Sequence, residues 1–408
     1  MRLLHTSDWH LGHTLKEVTR EHEHQAFLTW LLETCARERP DVLLITGDVF
    51  DSATPPASAE RMWFDFLAAA RRQRPTMDVI AIAGNHDSPA RLGAASAVLR
   101  ELGVHVIGGL PRDARGAIDL DRVLIPVAGG RGLVAAVPFI RPIDYPVCPA
   151  GESPDPLGTI YGEVVAGARA RKPADQALIV TGHLYVAGAD VSFLSERRVS
   201  IGGQESVSAR LFPEDIDYVA LGHIHRAQRI GRDTMRYAGA PIALSLEEGH
   251  YKHQVVIVDF ADGRVAQLRP LMIPRTIEIL RIGPAPFMEV ISEITALPAR
   301  VEGERVDPTR PYLEVIVELA RPEPRLRQVI ETALDGKRPR LVRLGVEHTG
   351  DGAALADHGI GRRLAELDPR EVFVRCWAKN HAEAPGEAVL VAFERLLAEV
   401  RGDAELLS

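Results

Sequence analysis

His223 and His225, in the stretch LGHIHR, are separated by one residue, so in an extended segment both imidazoles face the same point. A point that takes two imidazoles suits a metal ion, although two solvent-facing histidines would show the same spacing. Other residues of ligand type follow short apolar runs: Asp8 and His10 in SDWH, Asp48 and Asp51 in GDVFD, Asn85, His86 and Asp87 in GNHD, and His183 in TGH. Asp8, His10, Asp48, Asn85, His183, His223 and His225 make a mixed oxygen and nitrogen donor set. It is too large for one tetrahedral zinc and too rich in nitrogen for calcium or a magnesium-only cage. Two ions sharing Asp48 would accommodate it, and imidazole–carboxylate ligation suits Mn, Fe or Zn. Two such ions, about 3.5–4 Å apart, stabilise the entering and leaving oxygens of an in-line displacement, so no serine or cysteine nucleophile is required. The chemistry implied is metal-assisted hydrolysis of a phosphate ester.

His86 stands outside that donor set. Between Asn85 and Asp87 it could protonate a leaving alkoxide or hold the scissile phosphate. The alternative is one more ligand; the acid or phosphate-holding role is the preferred reading. Asp51 and Asp87 read as residues that orient the ligands from behind. His5, His13, His22, His24, His105, His250 and His253 fit no part of the pattern and default to surface or satisfied core positions. His13 is the one closest in sequence to SDWH.

The elements that must position these residues show as alternating apolar strands and helices over residues 1–270, with the ligand types at strand ends. That is where open α/β sheets collect their sites. Strands are expected in RLLHTSDWH, PDVLLITGDVFD, MDVIAIAGNHDS, DRVLIPV, GLVAAVPF, QALIVTGHL, IDYVALGHIH, MRYAGAP and HQVVIVDF. Helices are expected in HEHQAFLTWLLETCARE, SAERMWFDFLAAARRQ and RLGAASAVLRELG, the last closed by Gly103. Residues 141–176, rich in Pro and Gly, predict an irregular excursion containing a short helix. From 275 to 350 a strand (276–281), helix (287–297), strand (311–319), helix (323–334) and strand (340–347) predict a small separate α+β unit. In the remaining segment, 351–408, PGEAVLVAFERLLAEV predicts a helix with Leu390, Phe393, Leu397 and Val400 on one stripe.

A chain of 408 residues suggests two or three domains, and 46% hydrophobic with 25% charged residues is ordinary for a globular protein. The net charge of −8 does not announce a nucleic-acid binder, but local basic groups or a basic partner can compensate. Cys35, Cys148 and Cys376 are scattered, which argues against a disulfide framework and a thiolate zinc site and favours a cytoplasmic setting. Neither a signal peptide nor an apolar run of about 18 residues is visible, so no membrane partner is expected. The chain has no G-x-x-x-x-G-K-[ST], and DGKRPR does not qualify, so any ATP dependence must come from another chain.

The ordered elements D-x-H, G-D-x-x-D, G-N-H-[DE], H and G-H-x-H resemble the calcineurin-like metallophosphoesterase superfamily. At LLHTSDWHLGHTL, EHQAFLTWLLE, GDVFD and GNHDS the likeness narrows to the double-strand-break repair nuclease family, and SFLSERRVSIGG agrees with it. The resemblance implies an α/β fold: a metallophosphoesterase β-sandwich flanked by helices, with a small α+β capping domain and a C-terminal helical tail. It implies one Mn²⁺ on Asp8, His10, Asp48 and His225, a second on Asp48, Asn85, His183 and His223, and His86 as the catalytic histidine. It further implies exonuclease and endonuclease activity at DNA ends and hairpins, with the cap placing DNA over the metals.

The resemblance also implies an SMC-like ATPase partner on which the tail helix docks, in a heterotetramer built on a homodimer of this chain. A striped terminal helix suits docking in a partner's groove, or docking on its own domain. The resemblance implies dimerisation through the helices near 58–72 and 91–102, where Met62, Trp63, Phe66, Leu92, Val98 and Leu99 could equally be core. The same metal site would suit a phosphodiesterase or phosphatase of small molecules or phosphoproteins, which needs neither cap nor tail. A non-catalytic DNA-end scaffold would show damaged ligands or lack His86, and it shows neither.

Overall fold

Apolar residues occupy both faces of most strands, so both faces must be covered. In the computed structural model, which describes residues 1–146, 155–190, 206–300, 307–321, 323–349 and scattered positions from 370 to 393, two packed sheets and outer helices do this. One six-stranded sheet has the order Arg264–Met272, Gln254–Ala261, Arg2–Thr6, Val42–Thr46, Asp78–Ile82, Val104–Ile107. The other has the order Gln228–Ile230, Arg232–Tyr237, Tyr218–Gly222, Ala177–His183, Gly132–Ala135, Leu124–Val127. The chain is of the α/β class, a β-sandwich flanked by helices, as the resemblance implied.

Alternate residues of each strand serve different cores. Leu3, Val42, Leu44, Ile80 and Ile82 meet Val134, Ile179, Tyr218 and Ala220 between the sheets. Their neighbours Leu4, Leu43, Ile45, Val79 and Ala81 point outward onto Phe27 and Leu31 of helix Glu21–Glu38 and onto Trp63 and Phe66 of helix Ala57–Gln73. Val180, Val219 and Leu221 pack on Ile160, Tyr161 and Val164 of helix Pro156–Arg171. Burial of each large side chain contributes about 1.5–3 kcal/mol. Strand Arg2–Thr6 runs parallel to Val42–Thr46, which runs parallel to Asp78–Ile82. Strand Ala177–His183 likewise runs parallel to Tyr218–Gly222. The segments after these strands therefore leave each sheet at one edge.

Two helical expectations need correction. Residues 91–102 do not form one helix: Pro89–Leu92 and Ser96–Glu101 are separate, with Gly93 ending the first. The Pro/Gly-rich stretch carries a helix of 16 residues, Pro156–Arg171, longer than the short one expected. Its Pro stands in the first turn and Asp155 caps it by accepting a bond from Gly158 N at 2.8 Å, so these residues start a helix instead of breaking one.

Beyond the sandwich, strand Ile279–Pro286, helix Phe287–Ala296, strand Tyr312–Leu319, helix Leu326–Ala333 and strand Arg340–His348 follow in the expected order. The chain forms two compact units, residues 1–317 with 324–346 and residues 318–323 with 347–408. The sandwich and most of the small α+β elements share the first. A buried joint ties them together. Arg20 donates to Glu23 through Nε and, at 2.8 Å, through Nη2, while its Nη1 donates to Ala243 O at 2.7 Å. Tyr312 Oη donates to Glu23 Oε2 at 2.6 Å, and burial beside that carboxylate holds the phenol above its usual pKa. Tyr312→Phe removes a hydrogen bond to a charged acceptor and should cost about 1.5–3 kcal/mol, read as a lower urea midpoint.

Of the residues considered for a dimer contact, Trp63, Phe66, Leu92 and Leu99 are buried in the chain's own core, and Met62 packs against it. Val98 is 69% exposed. Leu390 and Phe393 are helical, and the Phe393 ring stacks on Phe373 of the same unit with centroids 4.2 Å apart. Leu397, Val400 and the stretch SFLSERRVSIGG lie outside the described residues. Among the described residues no helix is long and apolar enough to cross a membrane.

Candidate metal centre

The strand-end loops are zipped together by their backbones. Asp8 N donates to Gly47 O and His10 N to Asp48 O, each at 3.0 Å, and Leu11 N to Val49 O at 2.9 Å. Trp9 anchors its loop from below, its ring edge-on to Phe27, Trp63 and Phe66 at 5.2–5.7 Å. Asp8, His10, Asp48 and His223 all have left-handed backbones, with φ of 54, 47, 47 and 100°. Non-glycine residues adopt this rarely, at about 1–3 kcal/mol each, and such strain concentrates at functional sites. The glycines before Asp48 and Asn85 leave room for it: a Cβ on Gly47 would collide with His183 Nδ1, and one on Gly84 with Asp48 Oδ1.

The structure brings all seven candidate ligands together. Donor atoms of Asp8, His10 and His225 lie within 4.8 Å of one another, as do those of His10, Asp48 and His86, and of Asp48, His183 and His223. Asp48 Oδ2 sits 3.5 Å from His10 Nε2 and 3.3 Å from His183 Nε2. Asn85 Oδ1 is 3.0 Å from His183 Nε2 and 2.9 Å from His223 Nδ1.

Backing groups determine which ring nitrogens face inward. His183 Nδ1 lies 2.8 Å from Thr46 O, a carbonyl that can only accept, so Nδ1 carries the proton and Nε2 faces the cluster. His10 Nδ1 is 3.1 Å from Asp51 Oδ1 and His225 Nδ1 is 3.0 Å from Glu248 Oε1, which orients Nε2 of each ring in the same way. His10 Nε2 and Asp8 Oδ2 are buried without a hydrogen-bond partner. Such groups are costly unless something binds them. Divalent ions fit this donor set.

Burial disfavours charge on His183, but Asp48 and Asp8 outweigh it and raise its pKa to about 9. Burial works against the Asp48 carboxylate too, yet His183, His10 and His86 hold it well below the usual range. His223 is pushed well below its ordinary value by burial and by His183.

Asp51 touches the His10 ring, and Asp87 holds backbone. Its carboxylate accepts from Val49 N at 3.1 Å, Phe50 N at 2.9 Å and Gly84 N at 2.8 Å, joining two of the loops. Burial and Asp48 push its pKa up to about 6 against those amides. His86 is exposed, its Nδ1 2.7 Å from Asp51 O and its ring 4.8 Å from that of His10. A cavity of about 540 Å³ opens here, lined by His10, Asp51, His86 and His225, and by His13 as well.

Two residues depart from the sequence reading. His5 is a satisfied core histidine, bonded to Tyr218 and Thr46, but His24 is buried with neither ring nitrogen bonded, and burial lowers its pKa to about 3. Glu248 has no signal in LSLEEGH, which reads as a polar turn. Yet it is fully buried, and Oε2 accepts from Leu244 N at 2.8 Å while Oε1 holds His225. Glu248→Gln places an amide donor against one of these two N–H groups. Metal affinity should fall about 10–100-fold, measured by Mn²⁺ titration calorimetry.

A family model described as calcineurin-like phosphoesterase matches residues 1–227, and one described as type 5 capsule protein repressor C-terminal domain matches residues 274–381. The SbcD polypeptide of nuclease SbcCD from Rhodobacter capsulatus is 40% identical over 362 residues, 85% of this chain and 87% of that protein. Its counterpart of the same name from Escherichia coli K12 is 37% identical over 287 residues, 68% of this chain and 69% of its own. The Bacillus subtilis protein of that name is 34% identical over 282 residues, 67% and 70% respectively.

Proposed function

Because the chain belongs to the calcineurin-like phosphoesterases and, within them, to the SbcD family of nucleases, we propose that it is a Mn²⁺-dependent DNA exonuclease and endonuclease. It acts by a two-metal mechanism on phosphodiester bonds at DNA ends and hairpins. The observation that carries this reading is the convergence of seven oxygen and nitrogen donors, with the rings of His10, His183 and His225 already held from behind. Asp8, His10, Asp48 and His225 would hold one ion, and Asp48, Asn85, His183 and His223 the other. When bound, such a pair neutralises phosphate charge and lowers the pKa of water from 15.7 towards about 7.

The chain's own groups do the rest. Asp51, Glu248 and the Thr46 carbonyl keep the rings of His10, His225 and His183 in one orientation and tautomer. Asp87 keeps the loops in register. His86, exposed and held through Nδ1–H on the Asp51 carbonyl, would as the imidazolium offer Nε2–H to protonate the leaving alkoxide, ending neutral, or to hold the scissile phosphate.

The nuclease domain covers residues 1–270, residues 275–350 cap it and place DNA, and residues 351–408 dock an SbcC-type SMC-like ATPase through their helix. The working assembly is a heterotetramer on a homodimer of this chain, acting in the cytoplasm. The test is Mn²⁺-dependent cleavage of end-labelled linear and hairpin DNA with the ATPase partner and ATP, beside His225→Ala, with bis(p-nitrophenyl) phosphate as a small diester. Cleavage of DNA by the parent and not the variant is expected. Cleavage of the small diester alone would overturn the nuclease reading.

A further inference from the structure

Two cations rim the same cavity without belonging to the donor set. Lys16 and Arg343 line it beside His10, Asp51, His86 and His225, and they arrive from different parts of the fold. Lys16 stands on the hairpin of Thr14–Leu15 and Val18–Thr19, whereas Arg343 stands on strand Arg340–His348 of the α+β elements.

The hairpin pairs Leu15 with Val18, which leaves Lys16 and Glu17 as a two-residue turn with φ of 48 and 72°. Turns of this kind need left-handed residues at both positions and normally take Asn-Gly. Lys-Glu is strained there, and strain of this sort persists only where the surroundings enforce it. Here they do: Leu15 is buried with Leu246, Ile277 and Tyr312, and Val18 and Val342 pack on the same cluster. The hairpin that carries Lys16 is thus fastened to the elements that carry Arg343, next to the Arg20–Glu23–Tyr312 joint.

Arg343 is also held in place. Its Nη1 donates to Glu314 Oε1 at 2.7 Å, and the other oxygen of Glu314, itself 1% exposed, takes Arg281 Nε at 2.6 Å. One anchored edge leaves the rest of a half-exposed guanidinium fork to meet an anion, and a fork suits phosphate. Glu247 lies on the same rim and opposes an anion, so the attraction falls to the two cations and the metal centre.

We propose that Lys16 and Arg343 form a two-sided phosphate clamp, one cation on the sandwich and one on the cap, gripping the DNA strand whose scissile bond lies at the metal centre. This rests on the nuclease reading above. Lys16 and Arg343 each neutralise a separate phosphate and set its position relative to the metals, with the span fixed by the Leu15–Tyr312 contact.

The test is the salt dependence of DNA binding. Fluorescence anisotropy of a labelled hairpin DNA is followed with the full chain and Mn²⁺, in a His86→Ser background that leaves the DNA uncut. Each phosphate contact contributes about 0.7–0.9 to the slope of log K against log salt. Lys16→Gln and Arg343→Gln should each flatten the slope by that amount, and together by about twice it. Arg343→Lys, which keeps the charge, should keep the slope. Arg281→Gln, which shares Glu314 but does not line the cavity, should also keep it. Unchanged slopes in both single variants of a DNA-binding parent would overturn the clamp and leave the nuclease reading standing. A change in one variant alone, or an equal change in Arg281→Gln, would overturn it too. A parent that binds no DNA at about 50 mM salt would overturn the clamp, while cleavage by the complex with its ATPase partner decides the nuclease reading separately.

Discussion

Asp48→Asn is expected to lower kcat/KM on end-labelled DNA by at least about 10³-fold while leaving the fold in place. The residue is 2% exposed, and Oδ2 reaches toward His10 on one side and His183 on the other. Among the seven proposed donors, all of them described residues, it is the one common to both halves of the centre. Asparagine has the same shape, and its oxygen can still accept from His86 N, as Asp48 Oδ1 does at 2.9 Å. What it loses is the negative charge that offsets His183 and the second oxygen. The acidification of water that a metal pair supplies corresponds to about 12 kcal/mol. Losing even a third of that, about 4 kcal/mol, is close to a thousandfold in rate. Far-ultraviolet circular dichroism checks the fold, and labelled-DNA kinetics check the rate. A variant within tenfold of the parent would remove Asp48 from the centre.

His86→Ser should lower kcat by about 10²–10⁴-fold with Mn²⁺ binding unchanged. Among the eight residues gathered here His86 is the exposed one, and its Nδ1 is occupied by the Asp51 carbonyl. That leaves Nε2 facing whatever enters. If His86 donates a proton to the leaving alkoxide, the defect should shrink on bis(p-nitrophenyl) phosphate, whose leaving group needs no proton. If it holds the phosphate instead, the defect should persist on both substrates. Weaker Mn²⁺ binding in the variant would make it a ligand and remove both roles.

Much of the site was legible because it is built at strand ends. An apolar run predicts a buried strand, parallel strands leave a sheet at one edge, and Asp8, Asp48, Asn85, His183 and His223 each stand at or just beyond such an end. Their convergence therefore follows from topology and local pattern together. Glu248 was not legible, since its value lies in a contact with His225 that no spacing announces. The strained Lys16–Glu17 turn was hidden for a related reason. TLKEVT carries no Asn or Gly, and packing of Leu15 and Val18 in the cluster with Leu246, Ile277 and Tyr312 holds it in that shape. The helix Pro156–Arg171 was underestimated because its Pro and Gly count as breakers in a window but as starters beside a capping Asp155. His24 shows the limit from the other side: sequence reading expects a buried histidine to be satisfied, and this one is simply kept neutral by burial.

The most direct measurement is the number of Mn²⁺ ions bound per chain, by equilibrium dialysis and elemental analysis, in the parent beside His225→Ala and His183→Ala. Two ions are expected in the parent and a single ion, or weaker binding of one of the two, in each variant. A parent that binds one ion or none, or variants that keep both at full affinity, would contradict the two-metal reading.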